Sequence, residues 1–269
     1  MDTILASMKK TFSSKATKKG AEQFLSKFLT IRSWLKTKRI PESEVMDNQE
    51  EAVAYNATVT EDYLNKIDEG FVQQALNLGI HQGRILDVGC GPGQILLKLA
   101  VRKLNVHLTG IDLSWAMIQG ALEKITRASL NSRISLQVSD AKCLPFANKS
   151  FDLVLCNSVL HHSSNPIGLL NEISRVIKPT GALLIRDLKR PTKFSFPFHT
   201  WWFGRHYSGL MKRLYLDSLR ASYTLGELKD LLKHSSLSGC NVFQCGWLYV
   251  GIEKRPGITK LLEKKLMKL

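Results

Sequence analysis

The sequence lacks a long apolar run, paired cysteines and a phosphate-binding lysine motif. No stretch approaches the roughly 18 uninterrupted apolar residues of a membrane span, and the N-terminus has no signal-peptide core followed by a cleavage site. The five cysteines form no C-x-x-C pair and have no histidines at zinc-ligand spacing. We therefore expect a cytoplasmic protein, in a reducing compartment, without a metal site.

Acidic residues are scarce at the two ends of the chain and in one internal segment. The formal net charge is +15. Residues 1–40 hold ten Lys and Arg against two acids, residues 186–220 hold eight against two, and residues 253–269 hold six against two. Such basic regions suit an anionic partner, such as a membrane surface or a nucleic acid, although solubility alone explains them equally well.

The chain divides into an N-terminal extension over residues 1–45, a central domain over residues 46–255 and a basic tail over residues 256–269. Within the extension, the apolar residues of 21–36 fall on one helical face, which predicts an amphipathic helix. Such a helix covers its own domain more often than it binds a bilayer.

From residue 60 onwards, helical patterns alternate with short apolar runs. Helices are predicted near residues 60–78, 93–103, 114–129, 166–177 and 225–233. Strands are predicted near residues 84–89, 106–112, 134–140, 151–158 and 182–188, and a closing antiparallel pair near 242–247 and 249–254. Apolar strands that alternate with helices are typical of an α/β fold, a Rossmann-like three-layer sandwich around a mostly parallel sheet.

Residues 190–221 interrupt this alternation with an aromatic first half and a second half, "SGLMKRLYLDSLRA", that is predicted to be helical. The segment follows the carboxyl end of a strand, where open α/β sheets bind ligands, and we interpret it as a lid or substrate wall. Its aromatic residues would form buried packing, a pocket for a planar apolar substrate, or a membrane-facing surface with basic neighbours at 189, 190, 193, 205, 212 and 213. They are Phe194, Phe196, Phe198, Trp201, Trp202, Phe203 and Tyr207.

The stretch "ILDVGCGPGQ", residues 85–94, places three glycines directly after the first predicted strand. A glycine-rich turn at that point lets a cofactor approach the backbone closely. The spacing is G-x-G-x-G, Gln94 occupies the third glycine position of a dinucleotide fingerprint, and Asp87 would repel a pyrophosphate. A carboxylate beside a glycine turn suits a cationic ligand without phosphate, such as S-adenosylmethionine.

The next strands end in residues that suit the same ligand. Asp112 follows the second strand in "TGIDLS", where a carboxylate can accept hydrogen bonds from ribose hydroxyls. Asp140 follows the third strand in "VSDAKCLPF", near the expected position of an adenine amino group. The fourth strand, "FDLVLCNSVLHH", brings Asn157, His161 and His162 to the same edge of the sheet.

These motifs resemble the class I S-adenosylmethionine-dependent methyltransferases, in particular the group that contains the ubiquinone/menaquinone-biosynthesis enzymes. "LDVGCGPGQ", "GIDLS", "DAKCLPFANKSFDLVLCNSVLHH", "NEISRVIKPTGALLIRDLKRP" and "YTLGELKDLL" occur in the family's order over roughly residues 50–255. The resemblance implies a seven-stranded sheet with a reversed final strand. It implies a cofactor site formed by Asp87, Gly89, Gly91, Asp112, Asp140 and Asn157, with Cys90, Gly93, Leu113 and Ala141 beside them.

Three residues are candidates for catalysis. His161 or His162 would act as a general base, because the pKa of histidine lies near working pH. Adjacent strand residues point in different directions, so we expect at most one histidine to face the site. Asp187, at the end of the fifth strand, is the third candidate, unless it simply pairs with Arg186 or Lys189. Tyr55 would cover the cofactor or pack within a helix.

The sequence therefore favours a methyltransferase acting on a small, largely apolar or aromatic molecule. Peripheral membrane contact through the basic N-terminus and the aromatic lid is an open alternative. A nucleic-acid methyltransferase is the second interpretation. However, "CNSVLHH" lacks the Asn/Asp-Pro-Pro-aromatic run of enzymes that methylate base amino groups, and it contains no catalytic Pro-Cys. A third interpretation is a non-catalytic binding or assembly protein on the same fold, since fold alone does not set function.

Overall fold

The computed structural model describes residues 37–42, 62–102 and 105–257. The predicted helix at residues 21–36 and Tyr55 lie outside these ranges. The strands of the described chain are β1 (Gln82–Val88), β2 (Asn105–Asp112), β3 (Ile134–Val138), β4 (Phe151–Asn157), β5 (Ile177–Leu188), β6 (Asn241–Cys245) and β7 (Tyr249–Lys254). Its α-helices are α1 (Asp62–Leu76), α2 (Gln94–Ala100), α3 (Trp115–Arg127), α4 (Pro166–Val176), α5 (Ser195–Trp202), α6 (Gly209–Ala221) and α7 (Leu225–Lys233).

These strands form one sheet in the order β3-β2-β1-β4-β5-β7-β6. The pairs from β3 through β5 are parallel, whereas β7 runs antiparallel to both β5 and β6. The seven-stranded sheet with its reversed final strand is therefore confirmed. The strand order reverses beside β1, and this is the point at which open α/β sheets bind ligands.

Apolar side chains cover both faces of the sheet, which gives the fold its three layers. One core cluster joins strand residues such as Ile85 to Phe71 of α1, Leu96 of α2 and Ile118 of α3. The other joins the alternate strand residues to Leu170 of α4 and Leu228 of α7. Neighbouring strand residues point to opposite faces, so near-continuous apolar runs are what a sheet covered on both sides requires.

Local signals set the ends of two helices. The Ser114 hydroxyl accepts a hydrogen bond from the amide of Met117, which makes Ser114 the N-cap of α3. At α7, Thr224 and Glu227 form a reciprocal capping box. Most strand boundaries differ from the prediction by one or two residues; β3, for example, ends at Val138, which leaves Asp140 in the following loop. β5 begins well before the predicted position, at Ile177, because its pairing with β4 continues across an irregularity.

The segment between β5 and α7 is largely helical. It contains α5, a single 3-10 turn at Gly204–His206 and then α6. The helix predicted in the second half of this segment is present, and the aromatic first half adds α5, which the sequence pattern did not predict.

Residues 37–42 pack as an extended strap against this lid segment. The amide of Ile40 donates to the carbonyl of Arg220 at 3.1 Å, and Nε of Arg39 donates to the carbonyl of Ala221 at 2.5 Å. Buried Arg190 donates to the carbonyl of Thr37 at 3.1 Å. These contacts fix the position of Glu42 next to the site described below.

Candidate active site

A pocket opens at the carboxyl edge of the parallel strands, between the loops that follow them, helix α1 and helix α6. Nine of the thirteen predicted site residues line it: Gly89, Gly91, Asp112, Leu113, Asp140, Ala141, Asn157, His161 and His162. The other four, Asp87, Cys90, Gly93 and Asp187, are not on its wall. The sheet topology explains the convergence, because the ends of neighbouring parallel strands meet at one edge.

The glycine turn joins β1 to α2 through three left-handed residues. The φ angles of Gly89, Gly91 and Gly93 are +69°, +50° and +78°. A Cβ atom at Gly89 would lie 2.3 Å from Val159, and one at Gly93 would lie 3.1 Å from the Cβ of Ala121 in α3. A Cβ at Gly91 would meet nothing within 4 Å. Gly91 therefore presents bare backbone to the pocket, whereas its two neighbours serve close packing.

Asp112 ties the glycine turn to the end of β2. Its Oδ2 accepts a hydrogen bond from the Gly91 amide at 2.8 Å, and its Oδ1 accepts one from the Ser114 amide at 2.9 Å. Burial raises the pKa of Asp112, although these amides and that of Leu113 act to lower it. A carboxylate held in this way keeps lone pairs available for donors of a bound ligand.

Two more carboxyl groups lie close to Asp112. Burial, together with the charges of Asp112 and Asp68, raises the pKa of Asp87 to about 8. Burial also raises the pKa of Asp68, on the pocket wall, to about 6, against the opposing charges of Arg186 and Lys98. Asp87 is fully buried beneath the turn, and neither of its oxygens has a hydrogen-bond partner among the described residues. Three carboxyl groups with raised pKa favour a cationic ligand.

The third and fourth strands supply a polar wall. Oδ1 of Asp140 accepts a hydrogen bond from the Lys142 amide at 2.8 Å and pairs with the Lys142 ammonium at 3.1 Å. Oδ1 of Asn157 accepts from Nε of Arg186 at 2.9 Å. Arg186 is therefore engaged with Asn157 and does not pair with Asp187.

The predicted alternative pairing of Asp187 with Arg186 or Lys189 is wrong, because its partner is His161. Oδ1 of Asp187 lies 2.5 Å from Nδ1 of His161, and Oδ2 accepts the His161 amide at 2.8 Å. Burial acts to lower the pKa of His161, but the charge and hydrogen bond of Asp187, with the charge of Glu42, raise it overall.

The expectation that at most one histidine faces the site is also wrong. His161 and His162 both line the pocket, with ring centroids 4.1 Å apart. β4 ends at Asn157, and the histidines lie in the turn beyond it, where the His162 amide donates to the Val159 carbonyl. The alternating direction of strand side chains does not apply in that turn.

Several pocket residues carry no recognisable motif. Tyr63 and Asp68 come from α1, Tyr207 and Tyr215 from the lid segment, and Tyr249 from the start of β7. Their contribution depends on how α1 and α6 pack over the sheet edge. The predicted helices identified the elements but not which of their residues face the pocket.

Most of the aromatic residues of the lid segment lie at the pocket or at the surface, whereas Phe196 and Phe203 are half-buried. Tyr207 lines the pocket, whereas five aromatic side chains form an exposed aromatic patch: Phe194, Phe198, Trp201, Trp202 and Trp247, which are 40% to 67% exposed. Phe198 stacks on Trp202 and lies 6.5 Å from the ring of Trp247. Buried packing, one of the three predicted roles, is therefore wrong for the exposed aromatic residues of 190–221, which are Phe194, Phe198, Trp201 and Trp202.

Comparison with known proteins identifies the family. A family model described as a methyltransferase domain matches residues 81–226, more than half of the chain. The chain belongs to this methyltransferase-domain family. The family resemblance predicted from the sequence motifs is thereby confirmed.

Several known methyltransferases are similar to part of this chain. The ubiquinone/menaquinone biosynthesis C-methyltransferase UbiE of Geotalea daltonii is 36% identical over 110 residues, which cover 40% of this chain and 47% of the relative. The demethylmenaquinone methyltransferase of Tropheryma whipplei is 30% identical over 171 residues, which cover 63% and 69%. A solved structure, the SAM-dependent methyltransferase of Aquifex aeolicus, has a TM-score of 0.50 at 23% identity, covering 68% of this chain and 87% of that one.

The chain spans less than half the length of the first curated relatives it matches: 47% of one and 38% of two others. Among the described residues, no helix is long and apolar enough to cross a membrane.

Proposed function

We propose that the chain is a methyltransferase that transfers a methyl group from S-adenosylmethionine to a small, largely apolar or aromatic molecule. The observation that carries this proposal is the combination of bare backbone at Gly91 with the carboxyl groups of Asp112, Asp87 and Asp68. A dinucleotide would bring a pyrophosphate to this acidic turn. A cofactor with a sulfonium and an ammonium group gains from the same negative charge.

The cofactor side of the pocket consists of Gly89, Gly91, Asp112, Asp140 and Asn157. Asp112 is placed to accept hydrogen bonds from ribose hydroxyls, and Asp140 follows β3 on the side expected for the adenine. Asp87 contributes its charge from beneath the turn. When bound, S-adenosylmethionine supplies an electrophilic methyl group, and the chain contributes position, orientation and exclusion of water.

The acceptor side consists of the lid segment and the turn after β4 that carries His161 and His162, called the histidine turn below. Tyr207, Met211 and Tyr215 give it apolar and aromatic surface, which suits a planar apolar acceptor. The relatives named as quinone-biosynthesis methyltransferases support an acceptor of this class. His161 and His162 are the general-base candidates on the acceptor side. Asp187 does not line the pocket, and its role is to position His161.

Peripheral membrane contact through the exposed aromatic patch extends this proposal. Tryptophan side chains favour the membrane interface, and a cluster of five exposed aromatic residues is unusual for a surface in contact with water only. The guanidinium of Arg205 lies over the Trp202 ring at 4.1 Å, and Lys212 and Arg213 are exposed in the next helix. Pocket-lining Leu248 directly follows Trp247, so an acceptor dissolved in the bilayer would have a short path to the pocket.

A methyl-transfer assay tests the proposal. The protein is incubated with methyl-labelled S-adenosylmethionine and a panel of demethylated quinones and phenols in vesicles, and S-adenosylhomocysteine and labelled product are measured. Formation of both with an aromatic acceptor, lost in Asp112→Asn, is the expected result. A folded protein that neither binds the cofactor nor forms either product would refute the proposed function. Label in added RNA would redirect it to the nucleic-acid alternative.

A further inference from the structure

Three potential ligand atoms converge where the strap meets the histidine turn. One ligand atom from each of Glu42, His161 and His162 lies within 4.8 Å of the other two. Oε2 of Glu42 is 4.0 Å from Nε2 of His161 and 3.6 Å from Nδ1 of His162. Four-coordinate zinc with bonds of about 2.0 to 2.1 Å needs ligand atoms about 3.3 Å apart. Small side-chain rotations would bring the three atoms to that spacing.

One ring nitrogen of His161 is bound by a carboxylate, which is the usual arrangement of a metal-ligating histidine. Asp187 fixes its Nδ1 at 2.5 Å, which assigns the proton to that nitrogen and directs the Nε2 lone pair toward Glu42 and His162. His161 is 1% exposed, and its Nε2 has no hydrogen-bond partner among the described residues. A buried imidazole nitrogen in this state is incomplete without a ligand.

Glu42 is also positioned from behind. The hydroxyl of Ser218 in α6 donates to its other oxygen, Oε1, at 3.4 Å. The strap that carries Glu42 is anchored by Arg39, whose guanidinium donates to the carbonyl of His161 itself at 2.9 Å. The Arg39 contact therefore holds the Glu42 carboxylate beside the two histidines, although Glu42 and His161 are 119 positions apart in the chain.

We propose that Glu42, His161 and His162 bind one divalent transition-metal ion, of which zinc is the best match. Two imidazoles and one carboxylate suit zinc and iron(II), whereas magnesium and calcium prefer all-oxygen sets and no thiolate among the described residues belongs to the cluster. The two carboxylates on either side of His161, Glu42 and Asp187, supply the negative charge that a divalent ion neutralises.

The proposed ion would take part in the proposed function, and its role toward the acceptor rests on that function. Both histidines line the pocket, so an ion with three protein ligands keeps an open coordination position toward the acceptor side. A phenolic or enolic oxygen of the acceptor is the class of ligand that this position would take. The expectation of no metal site rested on the spacing of cysteines and histidines in the sequence, which could not place Glu42 beside His161 and His162.

Metal titration of the full chain tests the site. Chelator-treated protein is titrated with Zn²⁺ alone by calorimetry and with Co²⁺ alone by absorption spectroscopy. We expect one ion per chain and a rise in melting temperature. Glu42→Gln and His162→Asn should each weaken binding at least tenfold, and Ser218→Ala should weaken it less. His81→Asn, an exposed histidine outside the cluster, should bind as the wild type does.

Three outcomes would overturn the proposal. The first is no zinc binding by the folded wild type, which would leave His161 as a protonated ion-pair partner of Asp187 and Glu42. The second is binding that both ligand variants retain. The third is a cobalt spectrum with intense thiolate charge-transfer bands, which would place the ion on cysteines. S-adenosylmethionine binding by the wild type, measured in the same samples, separates these outcomes from failure of the proposed function, because a wild type that binds S-adenosylmethionine but no zinc would overturn the metal site alone.

Discussion

The amide of Gly91 donates a hydrogen bond of 2.8 Å to Oδ2 of Asp112. This bond joins the glycine turn after β1 to the end of β2, the two neighbouring strands whose loops form the cofactor side of the pocket. Because Oδ1 of the same carboxylate holds the Ser114 amide, Asp112 also fixes the start of α3. One side chain thus sets the shape of the turn and supplies the acceptor for a ligand.

Replacing Asp112 with Asn should weaken S-adenosylmethionine binding by about tenfold to a hundredfold. Hydrogen bonds to charged groups contribute about 1.5 to 3 kcal/mol, and the amide removes both the charge and one acceptor. Isothermal calorimetry measures the affinity. Asp230→Asn, which removes a carboxylate from an exposed pair with Lys233, is the control and should bind normally. Equal affinity in wild type and Asp112→Asn would remove Asp112 from the site.

Gly91→Ala should weaken cofactor binding more than its small effect on stability explains. The new methyl would enter open space at a φ of +50°, which costs about 1 to 2 kcal/mol of backbone strain and obstructs the approach of a ligand. Gly246→Ala is a matched control, since Gly246 has a φ of +56°, equally open space and a position outside the pocket. Similar melting temperatures with a binding defect in Gly91→Ala alone are expected. The same affinity in both variants would show that the ligand does not contact this backbone.

The stability of the ligand-free protein should fall as pH rises through the neutral range. Asp87 has a folded-state pKa of about 8, against about 4 when unfolded, so the folded state holds a proton that unfolding releases between these values. The contribution is fully present below about pH 4 and lost above about pH 8. Asp68, with a folded-state pKa of about 6, acts in the same direction. Denaturant unfolding from pH 5 to 8 measures the slope, which should be shallower in Asp87→Asn. An unchanged slope would contradict the burial of an ionisable Asp87.

Cofactor binding should release protons. A cation near Asp68 and Asp87 favours their ionised forms, so affinity should rise between about pH 6 and pH 8, where the pKa values of the free protein lie. Calorimetry in buffers with different ionisation enthalpies reports the released protons directly. Asp87→Asn should release fewer. A binding enthalpy that is independent of the buffer would contradict the proposed role of these carboxyl groups.

The exposed aromatic patch should govern vesicle binding. Trp201→Ser combined with Trp247→Ser should reduce affinity for phosphatidylcholine vesicles containing phosphatidylglycerol at least tenfold, because large apolar side chains contribute about 1.5 to 3 kcal/mol each when buried. Trp115→Ser is the control, since Trp115 is 57% exposed at the start of α3, outside the patch. Vesicle co-sedimentation measures binding. An equal loss in the control, or no loss in the double variant, would rule out the patch as the docking surface.

The sheet was predictable from sequence because its signals are local. Strands β1, β2 and β4 carry apolar residues on both faces of the sheet. The residues directly after them, such as Gly89 and Leu113, reach the pocket because parallel strands end at one edge. The same reasoning placed Asp112 and Asn157 correctly on the pocket wall.

The parts that the sequence did not predict depend on contacts between distant segments. Asp187 was considered beside its neighbours in the chain, whereas its partner is His161 in another loop. Glu42 and Asp68 belong to no motif, and they reach the site through the docking of the strap and the packing of α1. Hydrophobic periodicity indicates which residues share a face of a helix or strand, but it does not indicate which distant element packs against that face.

The most direct test of the central claim is a comparison of two cofactors on the wild-type protein. Calorimetric titrations with S-adenosylmethionine and with NAD⁺ distinguish a cationic cofactor without phosphate from a dinucleotide. The structure predicts saturable one-to-one binding of S-adenosylmethionine, competed by S-adenosylhomocysteine, and no measurable binding of NAD⁺ at the same concentrations. Binding of NAD⁺ with no response to S-adenosylmethionine would contradict the account.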